Sequence, residues 1–299
     1  MTLSTNALLS ELSAAQRQRL AYIEFKAWFY GEVSRKQVLE RFEVASAAGT
    51  RDLILYKELA PDNVVYERKA YRYTPSFQPI FQHEVGSVLA ALTTGYGTGD
   101  QPALGDLLSH AVPARLNLPP LETLATVTRA IGANHVLSLN YHSMKQGPQT
   151  REIIPHSLVD SGLRWHVRAF DRTQGHFRDL VLTRMAQVQP VQGSSPVASE
   201  ERVNADAQWH RELTLTLVPH PAHPHPKVIA RDFGMRRGQL SVTLKAAMAG
   251  YVLRQWQVDC SPDARLRGPE FRLWLPDRTQ LNGVVSAPLA PGFEDSEAP

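Results

Sequence analysis

The sequence predicts a multidomain α+β protein, and three observations carry that class. The chain has 299 residues, more than one small core accommodates, which points to two or three domains. Its hydrophobic pattern is helical at the start and strand-like through the middle, then alternates strand and helix towards the end. Breaker-rich stretches separate these parts, above all 193–207, GSSPVASEERVNADA.

Composition narrows the class. Hydrophobic residues make up 43% and charged residues 20%, ordinary values for a globular protein. The net charge is +3 and the pI about 9.0, which permits nucleic-acid binding without demanding it. Cys260 is the single cysteine. One thiol excludes an internal disulfide framework and an all-thiolate zinc site, and it suits a reducing compartment. The opening residues have no basic stretch followed by an apolar run, and no 18-residue apolar span occurs. A cytoplasmic protein without a membrane segment is therefore expected.

The first segment, 1–82, begins with a helix from Ala14 to Tyr30, whose Leu20, Ile23, Ala27 and Tyr30 recur at helical steps. Gly31 ends it. Ser34 and Gln37 then form a capping-box pattern, and Val38, Leu39 and Phe42 give the second helix an apolar face. Only Glu43-Val44-Ala45 separates it from a third helix, Ser46 to Leu59, in which Leu53 and Leu59 point inward. Two short helices joined so tightly form a helix-turn-helix. The third helix opens on Ser46, Ala47, Ala48, Gly49 and Thr50, small residues that let a helix N-terminus enter a major groove, and Arg51 follows to reach a phosphate or base edge. Ala60-Pro61-Asp62-Asn63 stops the helix. Val64–Tyr66 and Ala70–Tyr73 then read as a hairpin with Glu67-Arg68-Lys69 between its arms, a wing with a basic tip. The candidate DNA-binding residues are Arg35, Lys36, Ser46, Ala47, Thr50, Arg51, Lys57, Arg68 and Lys69. Net charge over 46–73 is only +1, from Arg51, Lys57, Arg68, Lys69 and Arg72 against Asp52, Glu58, Asp62 and Glu67, so charge alone does not decide the function.

Residues 83–124 read as a helical connector. It has an apolar stretch from His83 to Leu92, a break at Gly95, Gly97 and Gly99, a second short helix, and Leu118-Pro119-Pro120. Residues 125–192 read as short strands separated by turns, a small barrel or sandwich. Residues 193–207 read as a linker and 208–290 as a small α+β domain. That domain has strands at Arg211–Val218 and Gln239–Lys245, a helix near Pro226–Phe233, an apolar stretch, and further strands near Leu266 and Phe271. The acidic tail, 291–299, reads as disordered.

The runs AYIEFKAWFYGEVSRKQVLERFEV and TRDLILYKELAPDNVVYERKAYRYTPSFQPIF resemble the winged helix of WYL-domain transcriptional regulators. More narrowly they resemble the repressors that accompany bacterial anti-phage systems of the BREX and CBASS type. LNYHS, TREIIPHSLVDSGLRWHVRAFD and FRDLVLTRM resemble the WYL domain itself, which implies a small Sm-like β-barrel. The name-giving Trp-Tyr-Leu stands here as Trp165-His166-Val167, two departures in three positions. LTLVPHP and RDFGM resemble the family's C-terminal extension, which implies dimer contacts. The resemblance further implies an effector seat, carried onto Tyr141, Ser143, Arg151, His156, His166, Arg168 and Arg184.

Strand alternation independently places Arg164, His166, Arg168 and Phe170 on one face, opposite Trp165, Val167 and Ala169. The segment carries a net +4, from Arg129, Lys145, Arg151, Arg164, Arg168, Arg172, Arg178 and Arg184 against Glu152, Asp160, Asp171 and Asp179. Arginines near Tyr and His suit a phosphate and a stacked base. The competing reading pairs these arginines with Asp171, Asp179 and Glu152 on a solvated face. His220, His223 and His225 sit in a stiff VPHPAHPHP run with no Cys or acid beside them, and no metal site is expected there. No Walker sequence, nucleophile elbow or His-Glu-x-x-His occurs, so neither a cofactor nor a catalytic residue is assigned. The expected protein is a homodimeric transcriptional repressor on an inverted-repeat operator in double-stranded DNA, released by a nucleotide or nucleic-acid effector at the WYL domain and controlling an anti-phage defence operon. The rival is an enzyme acting on nucleic acid or nucleotide, with the barrel as its catalytic domain.

Overall fold

The first helix, α1 (Ala14–Tyr30), starts where Ser13 caps it, its hydroxyl accepting from the Gln16 N–H at 3.2 Å, and ends on Gly31 at φ +87°. A computed structural model describes residue 9 and residues 12–94 and 117–294 of the chain. These form two compact units. One holds the residues up to Leu158 together with Arg164–Val197. The other holds Val159–Leu163 and everything from Ala198 onward.

In the first unit, β1 (Glu32–Ser34) leads into α2 (Arg35–Phe42), α3 (Ser46–Leu59) and the hairpin of β2 (Val64–Glu67) and β3 (Ala70–Tyr73). The sheet order is β1-β3-β2, all antiparallel. The capping box of Ser34 and Gln37 is made in both directions, and Glu43 makes the tight turn in the left-handed region at φ +51°. The sequence reading missed β1, a three-residue strand too short for a periodic signal. Gly49 is buried. A Cβ there would lie 2.7 Å from the Leu39 side chain, so its smallness serves the packing of α3 on α2.

Helix α1 is buried on more than one stripe. Leu20, Tyr22, Ile23 and Ala27 belong to the core of the helix-turn-helix. Phe25, Trp28 and Phe29 belong to a second core, shared with α4 (Val85–Thr94), α5 (Leu121–Ala133) and the central sheet. Tyr30, expected on the apolar face, is 44% exposed, because the helix ends there and the ring instead receives the Lys26 ammonium. Arg129 on α5 bonds the Trp28 carbonyl at 2.8 Å and stacks 4.1 Å from the Tyr73 ring. Helix α5 runs across the boundary drawn at 124. The Gly95–Gly99 break and the second connector helix lie outside the described residues.

The middle strands are β4 (Leu137–Ser143), β5 (Gly147–Asp160), β6 (Trp165–Asp171), β7 (His176–Val181) and β8 (Met185–Pro190), in the order β7-β6-β5-β4-β8. The expected closed barrel is not formed among the described residues. The turn Leu182–Arg184 carries the chain from β7 to β8, which pairs with β4, so β7 and β8 are the two edges of an open sheet.

The second unit has a four-stranded sheet, β10-β9-β12-β11, built from β9 (Glu212–Pro219), β10 (Leu240–Lys245), β11 (Val258–Asp259) and β12 (Leu273–Trp274). The stretch read only as apolar is a helix, α8 (Ala246–Gln255), preceded by α6 (Ala207–His210) and α7 (Pro226–Asp232). No strand forms at Leu266, and the last one lies just beyond Phe271. Residues 198–207, read as linker, make short helical turns within this unit. Phe293, read as disordered tail, packs on its core, and Glu294 pairs with Arg265. Residues 295–299 lie outside the described residues. Cys260 is buried, and burial pushes its thiol up to about 12, which keeps it protonated and inert.

One buried polar cluster was invisible in the sequence. Glu24, fully buried on α1, accepts from the Tyr56 hydroxyl of α3 at 3.0 Å, from the Ile80 and Phe81 N–H groups at 2.9 and 3.0 Å, and from His83 Nε2 at 2.8 Å. Asn63 at the foot of the wing donates to the Tyr56 oxygen at 3.1 Å and exchanges two bonds with the Gln78 backbone. Burial and the adjoining carboxylate push the Tyr56 phenol far above its ordinary range, so it stays a donor. Four donors on one carboxylate offset a desolvation cost of several kcal/mol.

Two stability outcomes follow from this packing. Glu24→Gln presents an amide N–H₂ to groups that are themselves donors, and it should cost about 2–4 kcal/mol in urea unfolding. A midpoint equal to wild type would refute the importance of the cluster. Gly250→Ala would place a Cβ 1.7 Å from the Ser286 carbonyl oxygen. The backbone there must move, so a loss of about 3 kcal/mol or more is expected, read as a fall in Tm of the second unit.

Candidate nucleic-acid interface

Helix α3 divides its residues cleanly. Gly49, Asp52, Leu53 and Tyr56 are buried, while Ser46, Ala47, Arg51, Ile54 and Glu58 are exposed. Ala45 occupies the N-cap and supplies no side-chain bond, and the first turn holds no acid. A helix end of this kind offers its first N–H groups and positive dipole end to an anion. Thr50 and Arg51 lie back on their own helix, bonding the Ser46 and Ala47 carbonyls at 3.0 and 3.3 Å.

Asp52 resolves the weak charge count. Its side chain is 2% exposed and is held by Arg19 Nε at 2.5 Å and Gln16 Nε2 at 3.0 Å. The acid adjacent to Arg51 in sequence thus turns about 100° round the helix, into the protein, and is paired there. The solvent face of α3's first two turns keeps Arg51 as its one charged side chain.

The wing is a two-residue hairpin closed at Glu67 and Ala70. Arg68 and Lys69 sit at φ +50° and +68°, the geometry of a type I′ turn that Asn-Gly fits best. Both are exposed. Placing two long cations in a left-handed turn costs about 1–2 kcal/mol each, a cost that hairpin folding alone does not call for. Arg35 and Lys36 are exposed at the start of α2, where Lys36 pairs loosely with Glu40 at 3.5 Å. Lys57 does not join this set. Its ammonium bonds the Pro61 and Val64 carbonyls and ties the end of α3 to the wing.

The residues carried onto an effector seat fall on two faces of the central sheet. Tyr141 and Arg151 lie on the core side, Tyr141 accepting the Val181 N–H at 3.2 Å. Arg151, 2% exposed, is ion-paired with fully buried Asp171 and bonds Gln149 at 3.2 Å, while its Nε is buried without a hydrogen-bond partner. Arg178 approaches the same Asp171 oxygen at 3.6 Å. Arg168 lies on the other side and pairs with Asp179 across the β6–β7 register at 3.1 Å, and Arg172 reaches Glu152 at 3.8 Å. Arg151, Arg168 and Arg172 thus make the pairs with Asp171, Asp179 and Glu152 that the competing reading named, the first two of them buried instead of solvated.

Of the remaining seat residues, Ser143 caps the β4–β5 turn, accepting from the Lys145 and Gln146 N–H groups at 3.2 and 3.3 Å. His156 bonds Ser157 at 2.9 Å and meets the Phe177 ring edge-on. His166 is buried, and its Nδ1–H donates to the Arg164 carbonyl at 3.1 Å. Burial holds its imidazole below the ordinary range, nearby Arg164 and Arg184 push it the same way, and Asp179 opposes them. Arg184 is half-exposed in the turn after β7.

In the second unit, His220 is fully buried, its Nε2 donating to Asp259 at 3.0 Å and its Nδ1 accepting from the Ala222 N–H. Burial raises the Asp259 pKa, but bonds from Ser261, His220 and the Leu266 N–H outweigh it and hold the carboxyl below its ordinary range. His223 donates to the Phe271 carbonyl. Both histidines fasten the turn after β9 to the strand region opposite.

Known families match in the same order as these parts. The BrxR transcriptional regulator winged helix-turn-helix domain matches residues 15–94, the WYL domain residues 122–190, and the BrxR transcriptional regulator C-terminal dimerization domain residues 212–281. The DNA-binding transcriptional repressor CapW of Escherichia coli (strain KTE188) is 31% identical over 90% of this chain and 92% of its own length. The CapW repressor of Stenotrophomonas maltophilia is 31% identical over 84% and 86%, and that of Pseudomonas aeruginosa 28% over 90% and 92%. Among solved structures, Proteasome accessory factor B/C (PafBC) of Arthrobacter aurescens shares 16% identity over 78% of this chain and 44% of that chain, with a TM-score of 0.25. With an exposed, uncapped third helix, a basic wing and full-length relatives of one kind, the chain belongs to the WYL-domain transcriptional regulators of the BrxR and CapW type.

Proposed function

We propose that this chain is a homodimeric repressor that binds an inverted-repeat operator through α3 and the wing, and that an effector at the WYL domain releases it. The observation that carries the reading is the wing tip, where Arg68 and Lys69 hold left-handed conformations that a glycine or asparagine would adopt at lower cost. Strain retained under exposed cations is accounted for by a polyanion that they grip. The matched dimerization domain supports two copies per site, and the CapW name of the relatives supports control of an anti-phage defence operon. Two winged helices on one dimer read half-sites spaced by whole helical turns, about 10–10.5 base pairs each.

The effector reading contracts to the side of the sheet away from the core, where His156 and Phe170 each meet the Phe177 ring edge-on, and to His166, which lies within electrostatic reach of Arg184. Cations and histidines beside aromatic edges suit a nucleotide or single-stranded nucleic acid. Arg151 and Tyr141 then act as supports of the sheet and not as ligands.

The wing yields a test in which stability and binding move in opposite directions. The double change Arg68→Asn, Lys69→Gly should raise stability by about 1 kcal/mol while weakening binding to every duplex and flattening its salt dependence. A variant that is more stable and binds unchanged would remove the wing from the interface. The sheet yields a second test. Arg151→Ala leaves Asp171 buried beside a lost partner and should cost about 3–5 kcal/mol. Arg184→Ala should melt normally, bind operator normally and fail to respond in a reporter strain under the inducing condition. Normal induction by Arg184→Ala, or normal melting by Arg151→Ala, would reverse these assignments.

A further inference from the structure

Ile54 stands out on α3. It is 45% exposed, while Leu53 and Tyr56 of the same helix are buried and Leu55 and Leu59 are partly so. Isoleucine is a poorer helix former than the Lys, Glu or Ala that exposed helix positions favour, and its exposed apolar area gains nothing from water. Single exposed apolar residues are ordinary on a protein surface, so it is the position of Ile54 on α3 that singles it out. By helical periodicity it continues the stripe of Ala47 and Arg51, four and then three residues on. From Ser46 to Ile54 the helix rises about 12 Å, close to the roughly 12 Å width of a major groove. A helix entering the groove by its N-terminal turn therefore still has Ile54 beside the bases. Along that stripe, Arg51 is flanked by the methyl-bearing side chains of Ala47 and Ile54.

On the major-groove edges of the four base pairs the apolar group is the thymine C5-methyl. We propose that Ile54 is a specificity-determining residue that packs against the methyl of an operator thymine, next to the base pair that Arg51 reads. This rests on the reading of α3 as the groove-entering helix and adds a base identity to it. The recognised chemistry is a single methyl group, so removing that methyl from the DNA and removing the side chain from the protein should be equivalent.

The test uses the full chain and the duplex that wild-type protein selects from a randomised library, with each thymine in turn replaced by deoxyuridine. For wild type, one replacement per half-site should weaken binding roughly fourfold, the equivalent of about 0.8 kcal/mol for one methyl. Ile54→Ala should weaken binding to the thymine duplex by at least as much and show no further loss with deoxyuridine at that position. Ile54→Val, which keeps the branched carbon, should retain most of the sensitivity. Because Ile54 is exposed, both variants should melt at the wild-type temperature. An equal loss for Ile54→Ala on thymine and deoxyuridine duplexes overturns the proposal, as does a wild type indifferent to every replacement. If Arg51→Ala also binds normally, the placement of α3 in the groove fails, and this inference fails with it.

Discussion

A buried carboxylate holds the DNA-reading end of this protein together. Glu24 is fully buried, so its charge is tolerable only while Tyr56, His83 and the Ile80 and Phe81 N–H groups all point at it. The donors come from two stretches of chain, α3 and residues 80–83. Tyr56 belongs to α3, and through Asn63 it also fixes the foot of the wing. His83 stands just before α4, whose Val88 and Leu89 lie in the core shared with the central sheet. One acid on α1 therefore sets the position of the third helix, the wing and the segment that leaves the winged helix. A change in any one of these displaces a donor, and the energy of an unsatisfied buried carboxylate resists it.

The same helix explains why the winged helix and the sheet form one unit. A helix that buries a single stripe serves one core. Helix α1 buries Leu20, Ile23 and Ala27 in one core and Phe25, Trp28 and Phe29 in the other. Arg129 then fastens α5 to the Trp28 carbonyl and the Tyr73 ring. Wide burial on α1 replaces the flexible connection that a separate reading head would need. A strain in the sheet core therefore bears directly on the helix that carries Glu24.

Charge in this protein is organised by removal. Asp52 is drawn inward by Arg19 and Lys57 is held by backbone carbonyls, while Arg51, Arg68 and Lys69 remain outside. In the sheet, Arg151 with Asp171 and Arg168 with Asp179 cancel in low-dielectric surroundings, where a lone partner would be costly. The positive total of that segment is therefore not a measure of its affinity for anions. What counts is the charge left after pairing, and pairing is a property of the folded chain.

Much of the fold was legible because its signals are local. The Ser34–Gln37 box, the three-residue turn before Ser46, the Gly31 stop and the Arg68–Lys69 tip each depend on residues within a few positions, and each formed where it was read. Strand β1 and the helical character of Ala246–Gln255 were not legible, the first for its length and the second because an apolar run does not declare its period. The site was legible in part. Arg51 and the wing tip follow from helical and hairpin geometry, and alternation along β6 correctly set His166 and Arg168 apart from Trp165, Val167 and Ala169. Alternation could not say that Arg151 belongs to the core side with Asp171, twenty residues away, because strand register is decided by pairing partners. Nor could it join Glu24 to His83 across fifty-nine residues. The sequence by itself determined the local elements and their order. The tertiary structure decided which charges are spent on one another and which remain for a ligand, because a buried charge is tolerable only beside a partner that folding brings to it.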